Sequence, residues 1–187
     1  MPATSYLSAY AYALDVQDQG VASFVGELQS YGLNSVSLAA SYHTGKFLRP
    51  QARSGAVAFP EDGVVYFEPQ RQRYGEIRPQ AHSDPAQRRV LADLQDDGRL
   101  QVHAWAVLFH NSRLGALHPQ YTTRNVFGDP YVYSLCPMHG AVLEYGVSLC
   151  ADLGAQPQLS SVIVETPGWL PYAHGYHHEF AQVRANA

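Results

Sequence analysis

The chain has 187 residues, 46% hydrophobic and 15% charged, the make-up of a globular domain with apolar material for one sizeable core rather than of a disordered segment. Its net charge is −4 and its twelve Lys and Arg are scattered singly. No basic stripe can neutralise a row of phosphates and no polybasic patch can dock on lipid, so neither nucleic acid nor membrane is expected as a partner. The two cysteines, Cys136 and Cys150, show no Cys-x-x-Cys or Cys/His zinc spacing, and the N-terminus carries no charged leader or long apolar run, so a reduced, cytoplasmic setting is expected.

Residues 7–14, LSAYAYAL, read as a short buried strand leading to Asp15. Val21, Phe24, Val25, Leu28 and Tyr31 then recur at helical spacing before Gly32. A second strand, 35–41, delivers Tyr42, His43 and Thr44. An insertion follows over 44–83, in which GAVAFP and VVYFEP flank the turn EDG and suggest a β-hairpin. Asp84-Pro85 opens a helix whose stripe is Val90, Leu91 and Leu94 and whose stop is Gly98. The third strand, 100–109, delivers His110 and Asn111, and a loop rich in Gly, Pro, Asn and Tyr spans 110–137. A third helix over about 138–153 places Cys150 in an apolar stripe with Val142, Tyr145 and Leu149. The fourth strand, 159–165, ends in Glu165.

Strand-helix alternation with apolar strands predicts a parallel sheet inside one domain covering 1–187. No Gly-x-Gly-x-x-Gly or phosphate-binding loop follows the first strand, which speaks against a nucleotide-binding doubly wound sheet, and no cofactor motif is present. Polar and aromatic residues collect after each strand, where (β/α) barrels assemble their sites. The expected fold is a TIM-barrel-like α/β unit of about four βα steps, an incomplete barrel with a hairpin insertion. An eight-unit barrel takes about 250 residues, so either the chain is truncated relative to its relatives or two copies meet as a homodimer to complete the barrel. A smaller α/β sandwich is another reading.

His110-Asn111, His118-Pro119-Gln120-Tyr121, Ser134-Leu135-Cys136-Pro137 and the strand-end Glu165 resemble the middle of the family-10-like hypothetical glycosyl hydrolases. Tyr42-His43-Thr44-Gly45-Lys46-Phe47 and Pro60-Glu61-Asp62-Gly63 are similar to segments of a set of uncharacterised bacterial TIM-barrel proteins. The resemblance runs along nearly the whole chain but matches only the N-terminal part of those longer relatives. It implies a barrel fold and action on a carbohydrate or other small polar ligand.

Glycoside hydrolysis uses two carboxyl groups, one protonating the leaving oxygen and one attacking or activating water. Glu165 is the expected general acid, with Trp169 close enough in sequence to desolvate it. Tyr42, His43, His110 and Asn111 leave strands two and three at the same end and are expected to bind sugar hydroxyls. Asp15 reads as a helix cap and Glu179 lies in the tail, so the second acid is missing. The tail histidines His174, His177 and His178, with His43, His110, Glu165 and Glu179, admit a metal-dependent barrel enzyme as an alternative, although no His-Glu-x-x-His spacing supports one. A non-catalytic carbohydrate-binding or assembly module is a further alternative.

Overall fold

The structure, a computed structural model, describes residues 6–50, 52 and 55–170. In chain order the elements are β1 (Ser8–Ala11), α1 (Ala13–Gln19), α2 (Val21–Ser30), β2 (Ser35–Tyr42), β3 (Phe47–Leu48), β4 (Val57–Ala58), β5 (Val64–Val65), β6 (Gln80–Ala81), α3 (Pro85–Asp97), β7 (Gln101–Val107), α4 (Ser112–Leu117), β8 (Thr122–Arg124), β9 (Pro130–Leu135), α5 (Gly140–Gly154) and β10 (Ser161–Glu165).

The four main strands lie side by side in the order β1, β2, β7, β10, all parallel. The result is a mixed α/β fold on a parallel-strand sheet. Among the described residues β1 pairs with β2 alone and β10 with β7 alone, so the sheet stays open and no closed barrel forms.

Alternation along the strands separates two faces, because successive side chains point to opposite sides of a sheet. Ala11, Val36, Leu38, Ala40, Val102, Ala104 and Ala106 join the main core with Phe24, Val25 and Leu28 of α2, Val90, Leu91 and Leu94 of α3, and Val142, Tyr145 and Leu149 of α5. The opposite face carries Ser8, Tyr10, Ser35, Ser37, His103, Trp105, Ser161, Ile163 and Glu165, a surface rich in hydroxyl, imidazole and indole groups.

Local signals account for the helices. Asp84 caps α3 by accepting from the Ala86 N–H at 2.8 Å, Pro85 fills the first turn, and Gly98 ends the helix at φ +71° in the left-handed conformation. The expected first strand is cut short. The Tyr12 N–H donates to Asp15 at 2.9 Å, and the chain turns helical at Ala13, adding α1 ahead of the helix expected from Val21.

The insertion pairs differently from expectation. GAVAFP and VVYFEP do not form a hairpin with each other. Instead β4 runs antiparallel to β3, while β5 joins the main sheet antiparallel to the Ser41–Tyr42 end of β2, with β6 parallel beside it. Val64, Val65, Tyr66, Phe67, Tyr74 and Ile77 bury themselves in the main core, and that burial outweighs a local turn. Residues 110–137 are likewise more than a loop. Asn111 caps α4 through the Leu114 N–H at 2.8 Å, and β8 and β9 form an antiparallel pair. No helix among the described residues is long and apolar enough to cross a membrane.

Candidate functional site

The strand ends converge on one aromatic cluster around Glu165, the last residue of β10, whose register sets Ile163 beside Trp105 and Glu165 beside Val107. The Trp105 indole Nε1–H donates to Glu165 Oε2 at 2.6 Å. An indole can only donate, so Oε2 is committed as an acceptor and Oε1 is the atom left to carry or receive a proton. Trp105 lies opposite the small Ala39 of β2, which leaves room for its ring.

Three tyrosines frame that indole. Ring centroids of Tyr10 and Tyr42 each lie 4.9 Å from it at steep angles, and Tyr12 lies at 5.8 Å. The Tyr12 hydroxyl donates to the Tyr42 hydroxyl at 3.2 Å, and Phe47 closes the cluster 4.5 Å from Tyr12. Burial pushes both phenols above the ordinary tyrosine range, with the Asp15 and Glu165 charges adding to the rise at Tyr12 and the Tyr12 contact and Glu165 adding to it at Tyr42. Both therefore stay protonated at neutral pH, as hydrogen-bonding hydroxyls.

Tyr42 links this cluster to the histidines. His43 stacks on it at 4.3 Å, and the His110 ring follows at 4.0 Å from His43. Both imidazoles are buried, and His43 Nδ1 lies 2.6 Å from the Thr44 carbonyl oxygen. They form the floor beside the tyrosines. Asn111 belongs to the scaffold: its Oδ1 accepts from the Leu114 N–H and its Nδ2 donates to the Gly63 carbonyl at 3.2 Å, so both ends of the amide are occupied. Trp169 is 58% exposed; the indole that engages Glu165 is Trp105. Sequence reasoning missed Trp105, Tyr10 and Tyr12. The usable signal was the alternation in His103-Ala104-Trp105-Ala106-Val107, which sets His103 and Trp105 on one face.

Deeper on the same face is a polar row. Tyr10, Ser37, His103 and Ser161 are in lateral register across the four strands. His103 Nδ1 shares a 2.7 Å hydrogen bond with the Ser161 hydroxyl, and Ser37 shares hydrogen bonds with Tyr6 at 2.8 Å and Ser8 at 2.9 Å. The Tyr6 ring covers His103 edge-on at 4.9 Å.

Burial holds the His103 imidazole below its ordinary value of 6.5. The unfolded chain takes up a proton near that value while the folded chain resists it, so His103 costs nothing above it and destabilises increasingly as pH falls below it. Melting temperature is expected to drop between pH 7 and pH 5 more steeply in the wild type than in His103→Gln; equal slopes would show that this imidazole does not set the acid limb. Asp15 and Asp62, whose carboxyls burial holds above the usual range, act in the opposite sense but identically in both proteins.

Among the described residues no group of three or more His, Cys, Asp or Glu is arranged to hold a metal ion. The tail histidines His174, His177 and His178, with Glu179, lie outside the described residues.

No protein-family model matches the chain, and no curated protein matches it in sequence. Among solved structures it is similar to a noncanonic maltogenic alpha-amylase, AmyB, from Thermotoga neapolitana, with a TM-score of 0.51 and 16% identity over 96% of this chain. The alignment takes in 42% of the amylase, so the chain spans less than half of that enzyme's length. At this identity the likeness concerns the arrangement of strands and helices alone.

Proposed function

We propose that the chain is a half-barrel (β/α) unit of glycoside-hydrolase type that binds a saccharide at the C-terminal ends of β1, β2, β7 and β10, with Glu165 facing the ligand. The observation that carries this reading is the Trp105–Glu165 hydrogen bond inside a frame of Tyr10, Tyr12 and Tyr42. Aromatic faces pack against the C–H faces of sugar rings, while phenol hydroxyls and a carboxylate exchange hydrogen bonds with sugar hydroxyls. Glu165 acts as the general acid through Oε1, while Tyr42, His43, His110 and Trp169 shape the pocket and its rim. Asn111 supports that wall from behind.

The amylase likeness makes α-linked glucosides the first ligands to test. Titration with maltotriose, followed by tryptophan fluorescence, is expected to saturate. On a panel of aryl glycosides Glu165→Gln is expected to lower turnover by about 10²–10⁴-fold while maltotriose affinity stays within about tenfold, which is about 1.4 kcal/mol. A Gln variant as fast as the wild type removes Glu165 from the chemistry; a wild type that binds no saccharide removes the carbohydrate reading itself. One observation favours a second reading, a binding module without turnover. Among the described residues Glu165 is the single acid that the four main strands place on the face of the cluster, whereas hydrolysis uses a pair. Saturable binding with no hydrolysis of any glycoside would identify that case.

A further inference from the structure

We infer that two copies of this chain join edge to edge to close one eight-stranded barrel, so that each brings its Glu165 to a common mouth. The inference rests on the half-barrel reading above. The four main strands, all parallel, leave β1 and β10 each with one unpaired side among the described residues, while the short β5–β6 pair lies beyond β1 on the Ser41–Tyr42 end of β2. A twofold axis along the barrel keeps every strand parallel, sets β10 of one copy beside β1 of the other, and does so twice. One operation then gives β1 and β10 of both copies a neighbour, while β5 and β6 stay outside the seam at the Tyr42 end of β2.

The edges carry what such a seam requires. The Ser160 N–H donates inward to the Val102 carbonyl at 2.8 Å, so by strand alternation the amides of Ser161 and Ile163 face the open side. Beside them Val164 is 43% exposed, and Leu143 and Val147, one turn apart on α5, are exposed on the helix that packs against β10. At the opposite edge Tyr6, Leu7 and Tyr10 are exposed. Next to them a recess of about 260 Å³ opens between β1 and α2, lined in part by Ala9, Ala11, Phe24, Leu28 and Tyr31. Exposed apolar side chains also occur away from these edges, at Leu48, Leu117, Val126, Phe127 and Met138, so the open sides of β1 and β10 among the described residues, and not exposure alone, single out this seam. Closure also addresses the missing acid, because the twofold supplies a second Glu165 to the same mouth and thus the carboxylate pair that hydrolysis uses.

The test is the solution mass of the 187-residue chain by light scattering across micromolar concentrations, without saccharide. The expected mass is twice the 20.6 kDa of one chain. Ile163→Pro removes an amide from the open side only, a position where proline is tolerated, and is expected to give a folded monomer. Val164→Lys charges the outer side of the same edge and decides the matter if the proline variant does not fold. A wild type that is monomeric throughout, including one that instead recruits a different chain, overturns the inference, as does a dimer that survives both substitutions. A monomer that still binds maltotriose leaves the saccharide site standing. A dimer that binds no sugar keeps the closure and ends the saccharide reading.

Discussion

Asp152→Ala is expected to lower the unfolding free energy by about 2–6 kcal/mol, about 1–3 kcal/mol for each of two donors left without an acceptor. Asp152 sits on the last turns of α5 with no exposed surface. Its Oδ2 accepts from the Gln70 N–H at 2.8 Å and from the Tyr74 hydroxyl at 2.9 Å, and Arg73 Nε stands 3.8 Å from Oδ1. The Arg73 side chain is 38% exposed, so solvent screening makes it the weakest of the three ties. Burial, then the bond to Asp152, holds the Tyr74 phenol above its ordinary range, so the tyrosine remains the donor. Alanine leaves a backbone N–H and a phenol unsatisfied in the core. Urea unfolding should show the loss as a lower midpoint with an unchanged slope, and Asp152→Asn, which keeps one acceptor, should fall between the two. An alanine variant with the wild-type midpoint would mean that this carboxylate does not hold residues 70–74 to α5.

Trp105 is expected to show the second large effect, and two substitutions divide its roles. Trp105→Ala removes the ring against which Tyr10, Tyr12 and Tyr42 pack and should cost about 3–5 kcal/mol of stability. Trp105→Phe keeps an aromatic ring but deletes the N–H that fixes Glu165 Oε2. Its stability loss should be smaller, about 1.5–3 kcal/mol for a hydrogen bond to a charged group, while maltotriose affinity should fall about tenfold, or 1.4 kcal/mol. Unfolding curves and titration on the same preparations separate the two. Unchanged affinity in the phenylalanine variant would show that the indole N–H does not position the carboxylate for a ligand.

Much of the sheet could be read from residue order alone. The four strands are where apolar runs bounded by turn residues predicted them, and α3 begins and ends at the Asp84-Pro85 and Gly98 signals. The departures have separate physical causes. The first strand stops at Ala11 because Asp15 captures the Tyr12 amide, a local bond that competes with strand extension. The turn EDG joins two apolar runs and predicts pairing within the insertion, yet Val64 and Val65 pair with β2 and VVYF is buried in the main core. Glu165, Tyr42, His43 and His110 were legible as residues at strand ends. Trp105 was not, since a tryptophan inside an apolar strand reads as core until the strand's neighbours show which face it lines. Asn111 follows the third strand, and in the fold its amide caps α4 and holds the Gly63 carbonyl; Trp169 follows β10 and is exposed.

The pairing of the insertion has a consequence for how the protein could vary. Strand β1 covers the edge of β2 only from Ser35 to Leu38, and β5 takes over at Ser41 and Tyr42, so two separate pieces of chain share one flank of a single strand. Residues 44–83 are accordingly masonry rather than ornament. Shortening them would strip the tip of β2 just where Tyr42 enters the cluster, and would loosen the tie at Asp152 on the far side. Tolerance to change should therefore be least at Val64, Val65, Tyr66, Phe67, Tyr74 and Ile77, which the fold buries in its main core.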